Sequence, residues 1–303
     1  MRNWTNRTLF TGDNLTVMRG MNTGSVDPIY LDPPFNSKRD YAAPIGSQAA
    51  GAEFKDTWTL DDIDVEWINL IEDKHPHLYR VLMAAGSNSD KSYLAYMAVR
   101  LLECHRLLAD TGSIYLHCDP TMSHYLKLVM DAIWGRSNFR NEIVWHYHMG
   151  TAPKADFRRK HDIILRYSAT SQYMPVAVRV PRRMEGRYNH TDEDGRRYHI
   201  NGAGKRFYED EGVMPDDVWS YLADPSFTQL NSQAKERTGY PTQKPLKLLE
   251  RIIAASSNPG DVVFDPFCGC ATTLVAAEQT GREWIGCDIS QRAIEIARER
   301  LSS

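Results

Sequence analysis

Short apolar runs alternate along this chain with longer stretches in which apolar positions recur every three or four residues. The short runs predict buried strands, and the longer stretches predict amphipathic helices. The predicted strands are residues 9–11, 29–31, 113–117, 142–147, 163–167, 262–264 and 284–287. The predicted helices are residues 93–108, 124–134, 245–256, 272–279 and 292–301. This alternation favours an α/β fold in which a mostly parallel sheet is covered on both faces.

Two long segments interrupt the alternation. Residues 41–90 have the character of a loop-rich connection, and residues 168–237 that of an irregular, basic and glycine-rich insertion. Connections of this length inside a compact domain usually carry a function. We therefore predict one doubly wound domain formed by residues 1–167 and 238–303, with residues 168–237 inserted into it.

Charge is distributed unevenly along the chain. The net charge of the 303 residues is −3, but residues 150–206 contain 13 Lys and Arg against six Asp and Glu. That segment therefore has a net charge of +7, which leaves −10 for the remainder. A basic segment interleaved with aromatic residues is typical of a surface that contacts phosphates and stacks on bases. A solvated charged face is the alternative.

Composition disfavours several classes of protein. The five cysteines include no C-x-x-C pair, which favours neither a disulfide framework nor a zinc site, so we expect reduced thiols and no metal. The chain has no run of 18 apolar residues and no signal-peptide core near Met1. We therefore expect a soluble, cytoplasmic protein that does not contact a membrane.

The tetrapeptide Asp32-Pro33-Pro34-Phe35 follows the predicted strand 29–31. Its two prolines have fixed φ angles and no N–H groups, so the turn is rigid and leaves acceptors pointing outward beside an aromatic ring. Such a turn suits a flat base with an exocyclic amine, because the acceptors can hold the amine hydrogens while the ring stacks on the base. An ordinary strand-to-loop turn with a packed Phe is the alternative.

A second constellation lies near the end of the sequence. An apolar strand is followed by Asp265, a turn of small residues and a predicted helix, which is the arrangement of a ligand crevice in a doubly wound sheet. The next strand ends in Asp288, where an acid in this architecture binds the two hydroxyls of a ribose. A nicotinamide cofactor would need a G-x-G-x-x-G turn for its pyrophosphate, and this turn has only Gly269. A nucleoside without a pyrophosphate fits better.

The motifs and their order resemble those of the β-class S-adenosylmethionine-dependent DNA amino-methyltransferases, in which the catalytic turn precedes the recognition region and the cofactor turn. Gly12-Asp13-Asn14 resembles the adenine-contacting turn of that family. Tyr240-Pro241-Thr242-Gln243-Lys244-Pro245 resembles the segment that leads into its cofactor site. The resemblance covers nearly the whole chain. It implies a circularly permuted, seven-stranded mixed sheet of the class I methyltransferase type, with an inserted target-recognition region.

The resemblance implies catalytic roles for residues 32–35. Asp32 and the Pro33 carbonyl would accept the amine hydrogens of a base flipped out of double-stranded DNA, Pro34 would keep the turn rigid, and Phe35 would stack on the base. An Asp at the head of this motif goes mainly with adenine N6 in the family, so adenine N6 is favoured over cytosine N4. An RNA methyltransferase and an inactive DNA-binding homologue are further alternatives. A homodimer and a cognate restriction endonuclease stay open as partners.

S-adenosylmethionine is the cofactor that the resemblance implies. Its contacts would be Asp13 and Phe267 at the adenine end, Asp288 at the ribose, Asp265, Thr242 and Lys244 at the methionine end, and Gly269 and Thr272 in the turn. The DNA-binding candidates are Arg158, Arg159, Lys160, Arg182, Arg183, Arg196 and Arg197. Alternatively, Asp13 and Asp288 cap helices and Lys244 is a surface cation.

Two residues of the cofactor turn depart from the family's pattern. The family turn is usually Asp-Pro-Phe-x-Gly-Ser-Gly-Thr-Thr, and this chain has Cys270 and Ala271 in place of the Ser and the second Gly. Both replacements are small, so we still expect cofactor binding. A positive φ is less favourable for Ala271 than for glycine, so the fine geometry of the turn need not match that of the family.

Overall fold

A computed structural model of the protein describes residues 3–44, 46–58, 65–148, 153–180, 188–230 and 234–302. Its helices are α1 (Asn14–Gly20), α2 (Val65–Lys74), α3 (Pro76–Met83), α4 (Asn88–Leu107), α5 (Ser123–Trp134), α6 (Leu246–Ser256), α7 (Thr272–Gln279) and α8 (Gln291–Ser302). Its strands are β1 (Thr8–Thr11), β2 (Val26–Leu31), β3 (Tyr41–Ala42), β4 (Glu53–Phe54), β5 (Leu108–Cys118), β6 (Phe139–His146), β7 (His161–Ser168), β8 (His190–Thr191), β9 (Arg197–Ile200), β10 (Arg206–Tyr208), β11 (Val218–Ser220), β12 (Val262–Asp265) and β13 (Glu283–Asp288). None of these helices is long and apolar enough to cross a membrane.

The main sheet has the strand order β1-β13-β12-β2-β5-β7-β6-β11. Strand β7 is antiparallel to its neighbours β5 and β6, and every other pair is parallel. The predicted mostly parallel sheet is therefore confirmed, and all seven strands predicted from the hydrophobic pattern are in it. The sheet also has an eighth strand, because β11 from the insertion pairs with β6. Only Trp219 of its three residues is buried, so its sequence carries too short a pattern to be recognised as a strand.

The loop-rich interpretation of residues 41–90 was wrong over residues 65–83. These residues form α2 and α3, which cover part of the core with Ile71, Leu78 and Leu82. The same segment also contains the β3–β4 hairpin, with Tyr41 paired to Phe54. The insertion is not wholly irregular either, since β8, β9 and β10 form a small antiparallel sheet.

The first and last strands of the chain lie side by side. Thr8 to Thr11 of β1 pair in parallel with Ile285 to Asp288 of β13, and the Gly12 amide donates to the Asp288 carbonyl at 3.0 Å. This pairing is the one that a circularly permuted order implies. Because β1, β13, β12 and β2 are mutually parallel neighbours, their carboxyl ends meet at one edge of the sheet. Three of the sequence motifs follow directly from these strand ends.

Candidate functional site

A cavity of about 690 Å³ opens at this edge of the sheet. Its size lies within the range of small-molecule sites. The residues that line it include every catalytic and cofactor residue implied by the resemblance: Asp13, Asp32, Pro33, Pro34, Phe35, Thr242, Lys244, Asp265, Phe267, Gly269, Thr272 and Asp288. The turn at residues 32–35 and the turn at residues 265–272 therefore share one continuous space.

The Asp32 carboxylate forms an ion pair with Lys244. The ammonium donates to both carboxylate oxygens, at 2.7 and 2.6 Å, and the two side chains are only 19% and 9% exposed. Lys244 is therefore not a surface cation. The resemblance implied a contact with the methionine end of the cofactor, whereas its ammonium lies on the Asp32 carboxylate. A carboxylate offers about four lone pairs, so Asp32 can accept further hydrogen bonds while it is paired with Lys244.

A buried carboxylate holds the chain just beyond Phe35. Asp56 is 1% exposed, and its two oxygens accept the backbone amides of Asn36 and Ser37 at 2.6 and 2.9 Å. Asn36 needs this support because its φ is +60°, a left-handed conformation that is unfavourable for a residue with a side chain. Burial raises the pKa of Asp56, and the hydrogen bonds from Ser37 and Asn36 oppose that rise. Asp56 thereby joins the β3–β4 segment to the catalytic turn.

The ring of Phe35 rests on a second aromatic ring. It stacks on His117 with ring centroids 5.7 Å apart and an interplanar angle of 21°. His117 is fully buried, its Nδ1 lies 2.8 Å from the Tyr30 hydroxyl and its Nε2 lies 3.1 Å from Asp162. Burial opposes ionisation of Asp162, but the hydrogen bonds from His117 and Tyr147 together with the charges of His117 and Lys244 outweigh it, and the pKa of that carboxyl is lowered. The Phe35 ring is thus supported from below by a hydrogen-bonded network.

Asp265 occupies the bottom of the cofactor turn. It is 2% exposed, and its Oδ1 accepts the Phe267 amide at 3.0 Å. Burial, with a smaller contribution from the nearby carboxylates of Asp32 and Asp288, raises the pKa of Asp265 to about 7 against the opposing effect of the hydrogen bonds from Thr273 and Phe267. A carboxyl in this position favours a positively charged ligand, because a cation would restore its ionised form.

The turn after Asp265 is tightly wound. Gly269 has a φ of +49°, and a Cβ built there would lie 3.0 Å from the Tyr240 ring. Ala271 has a φ of +65° and precedes the first residue of α7, so it adopts the left-handed conformation that glycine would adopt more readily. The backbone is therefore left-handed at Ala271 although this residue carries a Cβ. The hydroxyl of Thr272, which lines the cavity, accepts from Arg300 at 3.1 Å.

Asp13 and Asp288 both cap backbone amides, as the alternative interpretation states. Asp13 accepts the Leu15 amide at the start of α1, and its other oxygen pairs with the buried Arg100 at 2.7 Å. Asp288 accepts the amides of Gly269 and Ser290. Burial raises the pKa of Asp288. Each carboxylate keeps unused lone pairs and lines the cavity, so capping and ligand contact are compatible.

The DNA-binding candidates fall into three groups. Arg158 and Arg159 are exposed on the loop before β7, and next to them the Lys160 ammonium donates to the His148 carbonyl. Arg196 makes a bidentate pair with Asp210 at 2.8 Å, and Arg197 pairs with Glu209 at 3.2 Å. The guanidinium groups of Arg196 and Arg197 are thus already paired with carboxylates of the insertion. Arg182 and Arg183 lie outside the described residues.

The sequence did not indicate several residues that line or support the cavity. Tyr41 and Phe54 stack on each other at 4.9 Å on the β3–β4 hairpin, and both line the cavity. Tyr96 of α4 and Ile289, which is 73% exposed, also line it. Their only sequence signal is an aromatic or apolar residue in a polar context, which is too common to be specific.

Comparisons with known proteins agree with this geometry. A family model described as DNA methylase matches residues 26–299. Type II methyltransferase M.HpaI from Haemophilus parainfluenzae is 28% identical over 97% of this chain and 74% of its own length. DNA adenine methyltransferase YhdJ from Escherichia coli K12 is 26% identical over 97% of this chain and 82% of its own.

Solved structures share the fold. A DNA modification methylase from Thermus thermophilus, solved in complex with S-adenosyl-L-methionine, superposes with a TM-score of 0.52 at 20% identity, over 97% of this chain and 93% of that one. The cytosine-N4-specific PvuII DNA methyltransferase superposes with a TM-score of 0.55 at 14% identity, over 98% of this chain and 86% of that one.

Proposed function

The chain belongs to the N6/N4 DNA methylase family, and from that premise we propose that it transfers a methyl group from S-adenosylmethionine to the N6 amine of an adenine flipped out of double-stranded DNA. The observation that carries the proposal is the shared cavity, in which Asp32 to Phe35 face the same space as Asp265 and Asp288. A catalytically inactive DNA-binding protein would not need these two sets of residues to meet.

The cavity suits S-adenosylmethionine in charge and shape. The cofactor carries a sulfonium and an ammonium, and the acids of the cavity wall include Asp13, Asp32, Asp265 and Asp288. Burial raises the pKa of Asp265, so a neighbouring ammonium would stabilise the ionised form of this carboxyl most. Asp288 lies at the end of β13, where this architecture binds a ribose, and the close approach of Gly269 to Tyr240 keeps the turn narrow. These residues would hold the cofactor as the resemblance implies.

The catalytic turn supplies the acceptors that the amine needs. An exocyclic amine is a poor nucleophile because its lone pair is delocalised into the ring. Asp32 and the Pro33 carbonyl would accept its two hydrogens and turn the lone pair toward the methyl donor, while Phe35 stacks on the base. When bound, S-adenosylmethionine would supply an activated methyl group on a positively charged sulfur. The amine nitrogen would form the N–C bond with its lone pair and give up one N–H proton, and the sulfur would keep the C–S bonding electrons and leave as the neutral thioether. Positioning of this kind can lower a barrier by about 7–11 kcal/mol.

Adenine N6 is proposed because the motif begins with Asp32, and the similarity to an enzyme named as an adenine methyltransferase supports it. Cytosine N4 is the second candidate, because the fold is shared with a cytosine-N4-specific enzyme and both amines offer the same donor geometry. Hydrolysis of the methylated DNA and identification of the modified base decide between them.

The test of the proposed activity is methyl transfer from labelled S-adenosylmethionine to varied duplexes. We expect transfer by the wild-type protein, loss of transfer in Asp32→Ala, and duplex binding by both. Asp73→Ala is the matched control, since Asp73 is exposed on α2. If the wild-type protein, saturated with cofactor, transfers nothing to any duplex, the proposal fails. Sequencing of DNA from cells that express the protein, with modified bases identified directly, gives the target base and the recognition sequence together.

A further inference from the structure

One aromatic side chain outside the cavity is almost fully exposed. Phe157 is 97% exposed, whereas Ile289, the next most exposed large apolar residue in the described ranges, is 73% exposed and belongs to the cavity wall. A single exposed apolar residue is common and does not by itself indicate a function. For Phe157, a function is indicated by its position in the fold and by the charges around it.

Phe157 lies in the loop between β6 and β7. These strands end at the pair His146–His161, and one further hydrogen bond joins the Tyr147 amide to the Lys160 carbonyl at 3.0 Å. Strand β7 is antiparallel to β5 and β6, so the loop leaves the same edge of the sheet as the Asp32 to Phe35 turn. Phe157 precedes Lys160 by three residues and is therefore within about 11 Å of it along the chain.

A short series of contacts connects the base of this loop to Phe35. The Tyr147 hydroxyl donates to Asp162 at 3.1 Å. The other oxygen of Asp162 lies 3.1 Å from His117, on which Phe35 stacks. The loop that carries Phe157 is therefore attached directly beside the ring that the proposed function assigns to the flipped base.

The neighbours of Phe157 are cations exposed to solvent. Lys154, Arg158 and Arg159 are all exposed, and Asp156 is the one acid among them, so this short segment has a net charge of +2. Exposed lysine and arginine side chains on a loop are suited to DNA phosphates. An apolar ring between them is placed to reach the base stack when the cations contact the backbone.

We propose that Phe157 is an intercalating side chain that enters the DNA base stack as the target base leaves it, an inference that rests on the proposed function. Extrusion of a base opens an apolar gap in the stack, and filling that gap with an aromatic ring offsets the lost stacking. The ring would thus enter the stack from beside the base pocket, while Phe35 receives the base.

The first test compares two duplexes that contain the mapped recognition site. One has the target base paired, and the other has an abasic position opposite it, so that extrusion requires less free energy. We expect Phe157→Ala to lower kcat/KM by about tenfold or more on the paired duplex and by less than about twofold on the other. Phe157→Trp retains a stacking ring and should keep most of the activity. Leu128→Ala, which removes an apolar side chain that is 51% exposed on α5, is the matched control.

Equal losses on both duplexes, or no loss on either, would overturn the proposal. So would a change of oligomeric state in Phe157→Ala, since the ring would then belong to a protein interface. The melting temperature and the affinity for S-adenosylmethionine should not change, because Phe157 has almost no contact with the rest of the chain.

A second test does not depend on methyl transfer, so it separates this proposal from the proposed function. Intercalation unwinds DNA, and a closed circular plasmid relaxed by topoisomerase in the presence of bound protein records the unwinding as a changed linking number. We expect the wild-type protein to change the linking number and Phe157→Ala, at equal occupancy, not to change it. Equal unwinding by both proteins would contradict the intercalating role even if the enzyme is fully active.

Discussion

Lys244 and Asp32 are 212 positions apart in the sequence, and their ion pair joins the segment before the cofactor turn to the catalytic turn. Both side chains are largely buried, so either charge alone would be left in a poorly hydrated site. The pair therefore fixes the direction of the Asp32 carboxylate, which under the proposed function must accept from an amine. Lys244 is then a positioning residue for methyl transfer.

Replacement of Lys244 by Met keeps the length of the side chain and removes its charge. We expect kcat for methyl transfer to fall by about tenfold or more, while the dissociation constant for S-adenosylmethionine changes by less than about threefold. Single-turnover assays and calorimetric titration measure the two quantities. Lys244→Arg keeps the charge in a different geometry, so its kcat should lie between those of the wild-type protein and Lys244→Met. A cofactor affinity that falls while kcat is unchanged would instead place Lys244 at the methionine end.

The raised pKa of Asp265 predicts opposite effects of pH on stability and on cofactor binding. Its pKa is about 7 in the folded protein and 3.8 ordinarily, so the folded state binds more protons between these values. The contribution of Asp265 to the free energy of unfolding is fully present below about pH 4 and is lost as the pH rises through about 7. Cofactor affinity should rise over the upper part of this range, because the ionised carboxylate attracts the ammonium.

Asp265→Asn tests both halves of this argument. In the cofactor-free protein at about pH 8, the substitution should raise the melting temperature, since it removes a buried charge that costs free energy to ionise. It should also weaken cofactor binding and flatten its dependence on pH between about 6 and 8. Thermal melts and titrations at several pH values measure these effects. A lower melting temperature in the variant at pH 8 would show that Asp265 is stabilised in its ionised form by the protein itself.

At the scale of elements, the β3–β4 hairpin and the catalytic turn act as one unit because Asp56 joins them. Asp56→Ala would leave the buried amide of Asn36 and the part-buried amide of Ser37 without this acceptor, at a cost of about 1–3 kcal/mol for the buried one. We expect a lower melting temperature, faster hydrogen exchange at these two amides and a loss of methyl transfer. Asp56→Asn can still accept one of the two bonds, so its effects should be smaller. Unchanged exchange in Asp56→Ala would mean that the turn is rigid without the clamp.

The parts of this site that could be predicted are those that lie at strand ends. An apolar strand followed by an acid places that acid at the carboxyl end of the strand, and in a parallel sheet these ends meet at one edge. Asp265 and Asp288 were both found at that edge. The partner of Lys244 could not be predicted, because an ion pair across 212 residues depends on how loops pack. The left-handed φ of Ala271 could not be predicted either. The sequence shows that an alanine is unfavourable in this conformation, but it does not show whether the surrounding turn enforces the conformation.

The predicted helices matched the structure to within one residue at each end, except that the longest, α4, begins at Asn88 and not at the predicted residue 93. Helix α7 was predicted with its observed ends, whereas α2 and α3 were overlooked because glycines and polar residues nearby dominated the segment. The edge strand β11 was missed for a different reason. A three-residue strand is specified by the strand it pairs with, not by its own pattern.

At the scale of the whole molecule, charge is separated along the chain, with +7 on residues 150–206 and −10 on the remainder. The separation gives a negative cavity for a cationic cofactor and a basic segment for a polyanion. Not every cation in that segment is equally available, however. Arg158 is exposed on the β6–β7 loop, whereas Arg196 is held by Asp210 and its guanidinium lies 4.0 Å from the centre of the Tyr208 ring.

These two arginines should therefore respond differently in a salt titration of DNA binding. If Arg158 contacts a phosphate, Arg158→Ala should reduce the slope of log Kobs against log salt by about 1, because one fewer counterion is released. Arg196→Ala should leave the slope nearly unchanged and lower the melting temperature of the insertion, since its guanidinium is bonded within the protein. Fluorescence anisotropy with a labelled duplex at several salt concentrations measures both slopes. A reduced slope for Arg196→Ala would show that Arg196 exchanges Asp210 for a phosphate when DNA binds.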